Sequence, residues 1–309
     1  MSGTARGPSQ AVAAVVVTYR PDAAVSDNLR AVLAQVDRAI VVDNGSPADA
    51  VAAVARALDE APDRSALIRN ADNQGLAAAQ NAGIRAALDW GADFVLLLDQ
   101  DSRPEPGMVP AMLAALAADS DPASIGLLAP NVQDADQTRP TRYLISRDGA
   151  ERRIEAFGTA PVLDGLLFAI ASGSLIPAAV LGEVGGMRDD FFIDYVDVEF
   201  SLRLRRHGYR ILAVRGARLR HRLGAYEERK LLWRTVAVTH HSALRRYYQY
   251  RNRVRTLRLY GAACPAFVRW EVRSMLADMV RLLCFERQRP SKLWNILRGA
   301  LDGIRTRPT

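Results

Sequence analysis

The stretch Asp93-Phe94-Val95-Leu96-Leu97-Leu98-Asp99-Gln100-Asp101-Ser102-Arg103 decides the fold. Its apolar run, Val95 to Leu98, lacks polar alternation, the pattern of a strand buried on both faces. Pro104 and Pro106 stop it, because proline removes a ladder donor and restricts the residue before it. The strand therefore delivers Asp99 and Asp101 to its carboxyl end. Two carboxylates one residue apart repel unless a cation lies between them. The pair reads either as a divalent-metal site that holds a phosphate or as a polar turn ending a strand.

Upstream, Ala11 to Val17 forms a second buried strand that closes on Thr18, Tyr19, Arg20 and Pro21. A helical stretch, Ala23 to Gln35, leads to a strand, Ala39 to Val42, ending in Asp43, Asn44, Gly45 and Ser46. Helix from Pro47 to Leu58, strand from Ala66 to Arg69 and helix from Leu76 to Trp90 complete the alternation. Such a series predicts an α/β fold: a doubly wound, mainly parallel sheet flanked by helices, with its ligand beyond the strands' carboxyl ends. Every polar cluster falls on that edge. No Gly-x-Gly-x-x-Gly follows the first strand and no Gly-x-x-x-x-Gly-Lys-Ser/Thr loop is present, which argues against dinucleotide dehydrogenases and P-loop NTPases. A nucleotide would have to be held by side chains and a metal. Asp43 suits the imide N–H of uracil or thymine, while Asn44-Gly45 also reads as a turn. Asn73, Gly75 and Asn81 surround a helix start, which could face a phosphate or sugar.

Downstream, the spacing predicts a helix over Ala111 to Ala118, a strand over Ile125 to Ala129, and a polar surface loop or hairpin from Asn131 to Arg153. Ser172-Gly173-Ser174 would let a sugar approach the backbone or simply pack closely. Asp194, Asp197 and Glu199 precede a predicted helix, Ser201 to Arg206, where the helix dipole explains acidic residues as well as a catalytic base does. His221 ends a basic strand region, Arg210 to Arg220. His240 and His241 are weaker ligand candidates, and His207 reads as a helix end before a glycine.

Val-Val-Thr-Tyr-Arg-Pro (16–21), Val-Asp-Asn-Gly-Ser (42–46), Asn-Gln-Gly-Leu-Ala (73–77) and Leu-Asp-Gln-Asp-Ser (98–102) together resemble family 2 glycosyltransferases of the GT-A fold. Within that family, Asp-Asn-Gly-Ser and Asp-Gln-Asp-Ser most resemble bacterial dTDP-rhamnosyltransferases. The resemblance implies an inverting transferase that moves L-rhamnose from dTDP-L-rhamnose to a glycan or polyprenyl-linked glycan in cell-surface polysaccharide synthesis. Other donors, such as UDP-galactofuranose or a UDP-hexose, remain open. It places Thr18, Tyr19, Arg20, Asp43, Asn44, Asn73, Gly75, Asn81, Asp99 and Gln100 on the donor side. The segment around Asp197 resembles the family's Glu-Asp-x-Asp element with Val196 in place of the first acid. Asp197 is then the base, with Glu199 and Asp194 as alternatives. His221-Arg-Leu-Gly resembles the His-x-x-Gly element, whose histidine would join Asp101 and Asp99 around Mg²⁺ or Mn²⁺. Tyr247-Tyr248-Gln-Tyr-Arg251-Asn252 resembles a Tyr-Tyr-x-x-Arg-Asn element, expected to close over the diphosphate or meet the acceptor.

Charge is segregated along the 309 residues. Residues 1–200 carry 15 Lys and Arg against 28 Asp and Glu, a net −13, whereas residues 201–309 carry 26 against 6, a net +20. A basic region suits an anionic membrane surface or nucleic acid, or a solvated face that neutralises the acidic half. No recognised nucleic-acid module is present, so nucleic acid is not expected as a partner. From Phe267 onward the pattern is amphipathic helix, with Trp294 and several arginines beside apolar stripes. Those helices would lie in a membrane interface or pack on the catalytic domain or a sister subunit. Cys264 and Cys284 are too far apart for a zinc or disulfide framework. No apolar run reaches membrane-span length, and no signal peptide is evident, so a cytoplasmic protein, able to work at the inner face of the membrane, is expected. The expected organisation is a disordered leader (1–10), a GT-A catalytic domain (11–230, with a nucleotide half to 103 and an acceptor half from 104), and a basic helical extension (231–309).

Overall fold

Val12–Thr18 (β1) is apolar up to its last residue and buried along its whole length, so it takes the middle of a sheet. The computed structural model describes residues 10–133, 141–146, 153–221, 226–231 and 234–306. The expected leader, apart from Gln10, lies outside them, as does part of the polar segment 131–153. Helix Val25–Leu33 (α1), strand Arg38–Asp43 (β2), helix Ala48–Leu58 (α2), strand Ser65–Arg69 (β3), helix Leu76–Asp89 (α3) and strand Phe94–Asp99 (β4) follow in turn. β2 and β4 flank β1 in parallel, and β3 adds outside β2. The register pairs Thr18 with Asp43 and Val17 with Asp99, which brings three polar strand ends to one edge.

Because successive side chains in a strand point to opposite faces, the sheet is covered twice. Val15, Val17, Val95 and Leu97 pack with α3 on one face. Val16, Leu96 and Leu98 pack on the other with α1, α2 and helix Met108–Ala117 (α4), which follows the short strand Ser102–Pro104 (β5). Each buried leucine contributes about 2 kcal/mol. Gly83 is required where α3 crosses the sheet, since a Cβ there would lie 2.2 Å from a Val15 methyl.

The expected parallel sheet flanked by helices is present in the first half, and beyond β4 antiparallel strands join it, so the complete sheet is mixed. The remaining strands are Ile125–Gln133 (β6), Tyr143–Ile145 (β7), Arg153–Glu155 (β8), Val162–Asp164 (β9) and Leu175–Pro177 (β10). Helices Ala178–Val184 (α5) and Val196–Arg206 (α6) lead to Arg210–His221 (β11). β10 is antiparallel to both β4 and β6, β6 is parallel to β11, and β11 is antiparallel to β5 and β9. α6 begins at Val196, five residues before the expected start, so Asp197 and Glu199 lie in its first turn. β7 and β8 pair with each other in antiparallel fashion at the end of the segment expected to be a surface loop or hairpin.

Strands Tyr226–Leu231 (β12) and Arg234–Thr239 (β13) pair with each other in antiparallel fashion. Helices Ala243–Tyr260 (α7), Pro265–Phe285 (α8) and Arg289–Arg305 (α9) complete the chain. Gly299 and Gly303 allow α9 to lie against the backbone of α7: a Cβ at these positions would come within 2.2 Å of Tyr247 O and 2.7 Å of Arg251 O. Buried Glu286 bridges Arg246 of α7 and Lys292 of α9, the latter at 2.6 Å. Phe267, Tyr260 and Leu202 share an apolar cluster, which joins α7 and α8 to α6.

Candidate active site

Beyond the carboxyl ends of β1 and β4 lies a cleft of about 700 Å³, within the range of small-molecule sites. Tyr19, Asn44, Asn73, Gly75, Asp99, Gln100 and Asp101 line it from the first half of the chain. From the second half come Asp194, Asp197 and His221, together with Phe192, His241 and Arg245.

Asp99, Asp101 and His221 converge although the histidine is more than a hundred positions from the aspartates, with their ligand atoms all within 4.8 Å of one another. The cause is strand pairing: β5 turns back after Asp101 and pairs Ser102 with His221 at the end of β11. Ser102 Oγ lies 2.8 Å from His221 Nδ1 and 2.5 Å from Ser172 Oγ, and the Ser172 hydroxyl accepts from the Asp99 backbone N–H at 3.1 Å. This chain orients both the imidazole and the Asp99 backbone, the arrangement that metal-ligating histidines commonly require. Two carboxylates and one imidazole form a donor set suited to Mg²⁺ or Mn²⁺. Burial in the cleft, and secondarily Asp101, push the Asp99 carboxyl above its ordinary range despite the opposing effect of His221. A dication here would relieve that repulsion, so the residues present fit the group.

The turn between Asp99 and Ser102 is anchored by Gln100. Its Oε1 accepts from the Tyr19 N–H at 2.7 Å, and its carbonyl accepts from Asn28 Nδ2 at 2.9 Å. Asn44 organises the opposite wall: its amide donates to Asn73 Oδ1 at 3.0 Å and Gly75 O at 3.1 Å, and its oxygen accepts from Asn70 Nδ2 and Gln74 N. Asp43 is 1% exposed, with Thr18 Oγ1 and Ser46 N as donors at 3.1 and 2.9 Å. Its lone pairs are not exhausted by two bonds. Gly75 has φ +90°, and a Cβ would meet the Phe192 ring at 2.6 Å, so no other residue fits this close approach. Arg20, also at positive φ, is exposed and rests 5.2 Å from the Tyr19 ring centroid.

Asp197 enters from the far side. Burial, and then the nearby Asp99 and Asp194 carboxylates, push its carboxyl up to about 6, although the Val198 N–H donates to it at 2.9 Å. The loop that delivers it is strained: Phe192, Asp194 and Tyr195 have φ of +61°, +62° and +64°. Left-handed non-glycine residues cost on the order of 1–3 kcal/mol each and persist only where the surroundings impose them. Helix α7 does so. Asn252 Nδ2 lies 2.7–2.9 Å from the carbonyls of Phe191, Ile193 and Asp194, and Arg251 donates to Asp190 O and Phe191 O. Arg245 pairs with Asp194 at 2.9 Å, Arg253 donates to Tyr195 Oη at 2.6 Å, and Phe192 stacks on Tyr248 at 4.8 Å.

Four expectations change here. Arg251 and Asn252 hold the loop's backbone rather than covering a ligand. Asn81 is buried and spans Met187 and Asp189, with its amide donating to both and its oxygen accepting from Met187 N at 2.7 Å. Glu199, two residues beyond Asp197, points away from the cleft and is fully buried against Arg203 at 3.0 Å and the Tyr260 hydroxyl at 2.6 Å. Asp194 is committed to Arg245. Phe192, Arg245 and the orienting role of Ser102 and Ser172 carry no local signal in the sequence: Asp194 and Arg245, for instance, are 51 residues apart and no local pattern joins them. His240 and His241 lie on the cleft wall outside the Asp99 cluster. Burial, then Arg245 and Arg246, push His241 down to about 4, so it is neutral at pH 7.

The dTDP-rhamnosyl transferase RfbF of Shigella flexneri is 27% identical over 301 residues, covering 94% of this chain and 95% of that protein. The galactofuranosyltransferase GlfT1 of Mycobacterium tuberculosis is 29% identical over 257 residues, covering 79% and 81%. Among solved structures, the mannosyltransferase PcManGT of Pyrobaculum calidifontis, in complex with GDP-Man and Mn²⁺, superposes with a TM-score of 0.57 at 14% identity, over 95% of this chain and 87% of that one. The two chains thus share a fold. The model of the glycosyl transferase family 2 matches residues 13–184, from β1 to the end of α5 and so more than half of the sequence. The chain belongs to glycosyl transferase family 2 and is a glycosyltransferase of the GT-A fold.

Proposed function

We propose that this glycosyltransferase moves L-rhamnose from dTDP-L-rhamnose onto a hydroxyl of a glycan or lipid-linked glycan, with inversion at the anomeric carbon. The observation that carries the mechanism is Asp197: a carboxylate raised to about 6, in the same cleft as the Asp99, Asp101 and His221 cluster but on another element. Asp197 takes the proton of the acceptor hydroxyl as its oxygen bonds to the anomeric carbon. The bond from that carbon to the diphosphate breaks in line, on the opposite side, and dTDP leaves. Asp101, His221 and Asp99 would hold a divalent cation, whose chemistry is to neutralise charge on the departing diphosphate. Asn44, Asn73 and Gly75 line the wall assigned to the nucleotide and Gln100 lines the cleft beside it, while Asp43 and Thr18, hydrogen-bonded to each other and buried, are not part of the lining and support that edge of the sheet. Burial rather than a salt bridge sets the proton affinity of Asp197, which keeps it basic enough to accept a proton near pH 7.

The donor assignment is supported by the likeness to RfbF across nearly the whole chain. Likeness to GlfT1 favours a second reading, transfer of galactofuranose from its UDP derivative. A lipid-linked acceptor would bring the protein to the inner face of a membrane, although no helix among the described residues is long and apolar enough to cross one. Isothermal calorimetry and product analysis with dTDP-L-rhamnose, UDP-galactofuranose and UDP-glucose, each with Mg²⁺ or Mn²⁺, test the donor. Tighter binding and turnover of dTDP-L-rhamnose is expected. Preference for UDP-galactofuranose would replace it with the second reading.

A further inference from the structure

Helices α8 and α9 use only one side to pack on α7. Leu282 of α8 and Ile296 of α9 meet Tyr250 of α7, with Met275, Met279 and Leu293 around them. One helical step from this floor, α8 exposes Val272, Leu276, Val280 and Leu283, with Leu276 64% exposed. In the same way α9 exposes Trp294, Leu297, Leu301 and Ile304, with Trp294 60% exposed. Spacings of three and four residues make each set a stripe along its helix. Isolated exposed apolar residues need no account, but two regular stripes on helices that share one apolar floor do.

The charges on these helices are sorted. Their acidic residues and that of the connection turn inward: Glu271 and Asp278 onto Arg253, Glu286 onto Arg246, and Asp302 onto the Tyr247 hydroxyl, all on α7. Arg273 and Arg305 are exposed beside the stripes. The outward face therefore combines apolar side chains, a tryptophan and cations, with its carboxylates withdrawn. A second copy of the chain would bring the same cations against themselves, whereas an anionic lipid surface complements them. We infer that the outer face of α8 and α9 docks the protein onto an anionic membrane surface, its two apolar stripes entering the interface and its arginines meeting lipid phosphates. The helices lie in the interface and do not cross it. This inference deepens the lipid-linked-acceptor reading but does not depend on which sugar is transferred.

Co-sedimentation of the full-length protein with vesicles tests it. With phosphatidylcholine containing about 30% phosphatidylglycerol the protein pellets, and with phosphatidylcholine alone its partition falls by about tenfold or more. A Leu276→Ser, Trp294→Ser, Leu297→Ser variant loses a similar factor on anionic vesicles while keeping its melting temperature. Arg273→Glu with Arg305→Glu, both at solvent-facing positions, also loses binding and removes part of its salt dependence. Wild-type protein that stays in the supernatant with anionic vesicles overturns the inference. So does a serine variant that pellets like wild type, or one that binds vesicles normally while losing a dimer seen in sedimentation velocity, which would assign the face to a second copy. Because the readout is binding, it fails or succeeds independently of donor and acceptor identity.

Discussion

Replacing Asp197 by asparagine removes the negative charge and keeps the shape, so its effects on catalysis and on stability should run in opposite directions. The carboxyl is raised from 3.8 to about 6 in the folded chain, chiefly by burial. About 1.4 kcal/mol per pH unit makes the ionised form unfavourable by roughly 3 kcal/mol in the folded state. The sign follows from proton uptake: between about pH 4 and 6 the folded chain holds a proton that the unfolded chain has released. Stability thus falls as pH rises through this window and stays reduced above it. The amide that replaces the carboxylate carries no charge to bury. Loss of the ionic character of the Val198 hydrogen bond offsets part of the gain. The variant should therefore be more stable than wild type by about 1–3 kcal/mol at pH 8, with the difference vanishing below about pH 4. Transfer should fall by about 10²–10⁴-fold, while donor affinity changes little. In the wild type, turnover should decline as pH drops through about 6, because the base becomes protonated. Urea unfolding at pH 4 and 8, paired with single-turnover transfer, measures both effects. Wild-type transfer by the asparagine variant would remove the base assignment, and equal stability differences at both pH values would refute the burial argument.

His221→Ala should weaken Mn²⁺ binding by about 10–100-fold and lower turnover in parallel, which titration calorimetry with Mn²⁺ alone can read, because one of three converging ligands is lost. Asn252→Ala should cost about 2–3 kcal/mol by leaving the carbonyls of Phe191, Ile193 and Asp194 without their shared donor. It should also lower turnover without changing dTDP affinity; unchanged turnover in a folded variant would show that the loop keeps its shape unaided. Glu199→Gln should destabilise by about 2–4 kcal/mol through Arg203 and Tyr260 yet leave the pH profile of transfer in place, and loss of the acid limb would instead make Glu199 the base.

The left-handed loop explains why so little of the cleft's downstream wall can be read locally. Its backbone is unfavourable for Phe192, Asp194 and Tyr195 and is imposed from α7, which pairs with it across 51 residues of sequence at Asp194 and Arg245. The C-terminal helices thus shape the cleft as well as following its other elements in sequence. They carry Asn252 and the arginines on one side and the apolar stripes on the other, both on a framework tied by buried Glu286.

The first half of the sheet was legible because its determinants are local. Short apolar runs such as Val95 to Leu98, bounded by polar residues and prolines, suit buried strands, and once strands alternate with helices their polar ends share an edge. Asp99, Asp101 and the family's motifs follow from that. The pairing of Asp101 with His221 was implied only by resemblance, since strand pairing between β5 and β11 creates it and no local period encodes it. Likewise, Asp197 and Glu199 are two residues apart in one helical turn, and resemblance alone, not any local pattern, favoured Asp197 over Glu199. A two-residue step turns a helix by about 200°, so tertiary packing sends one into the cleft and the other into the core. The sequence by itself determined the parallel first half and the carboxylates at its edge, through burial and chain connectivity. Only the tertiary structure decided which downstream acid faces them, because that choice depends on how α6 and α7 pack.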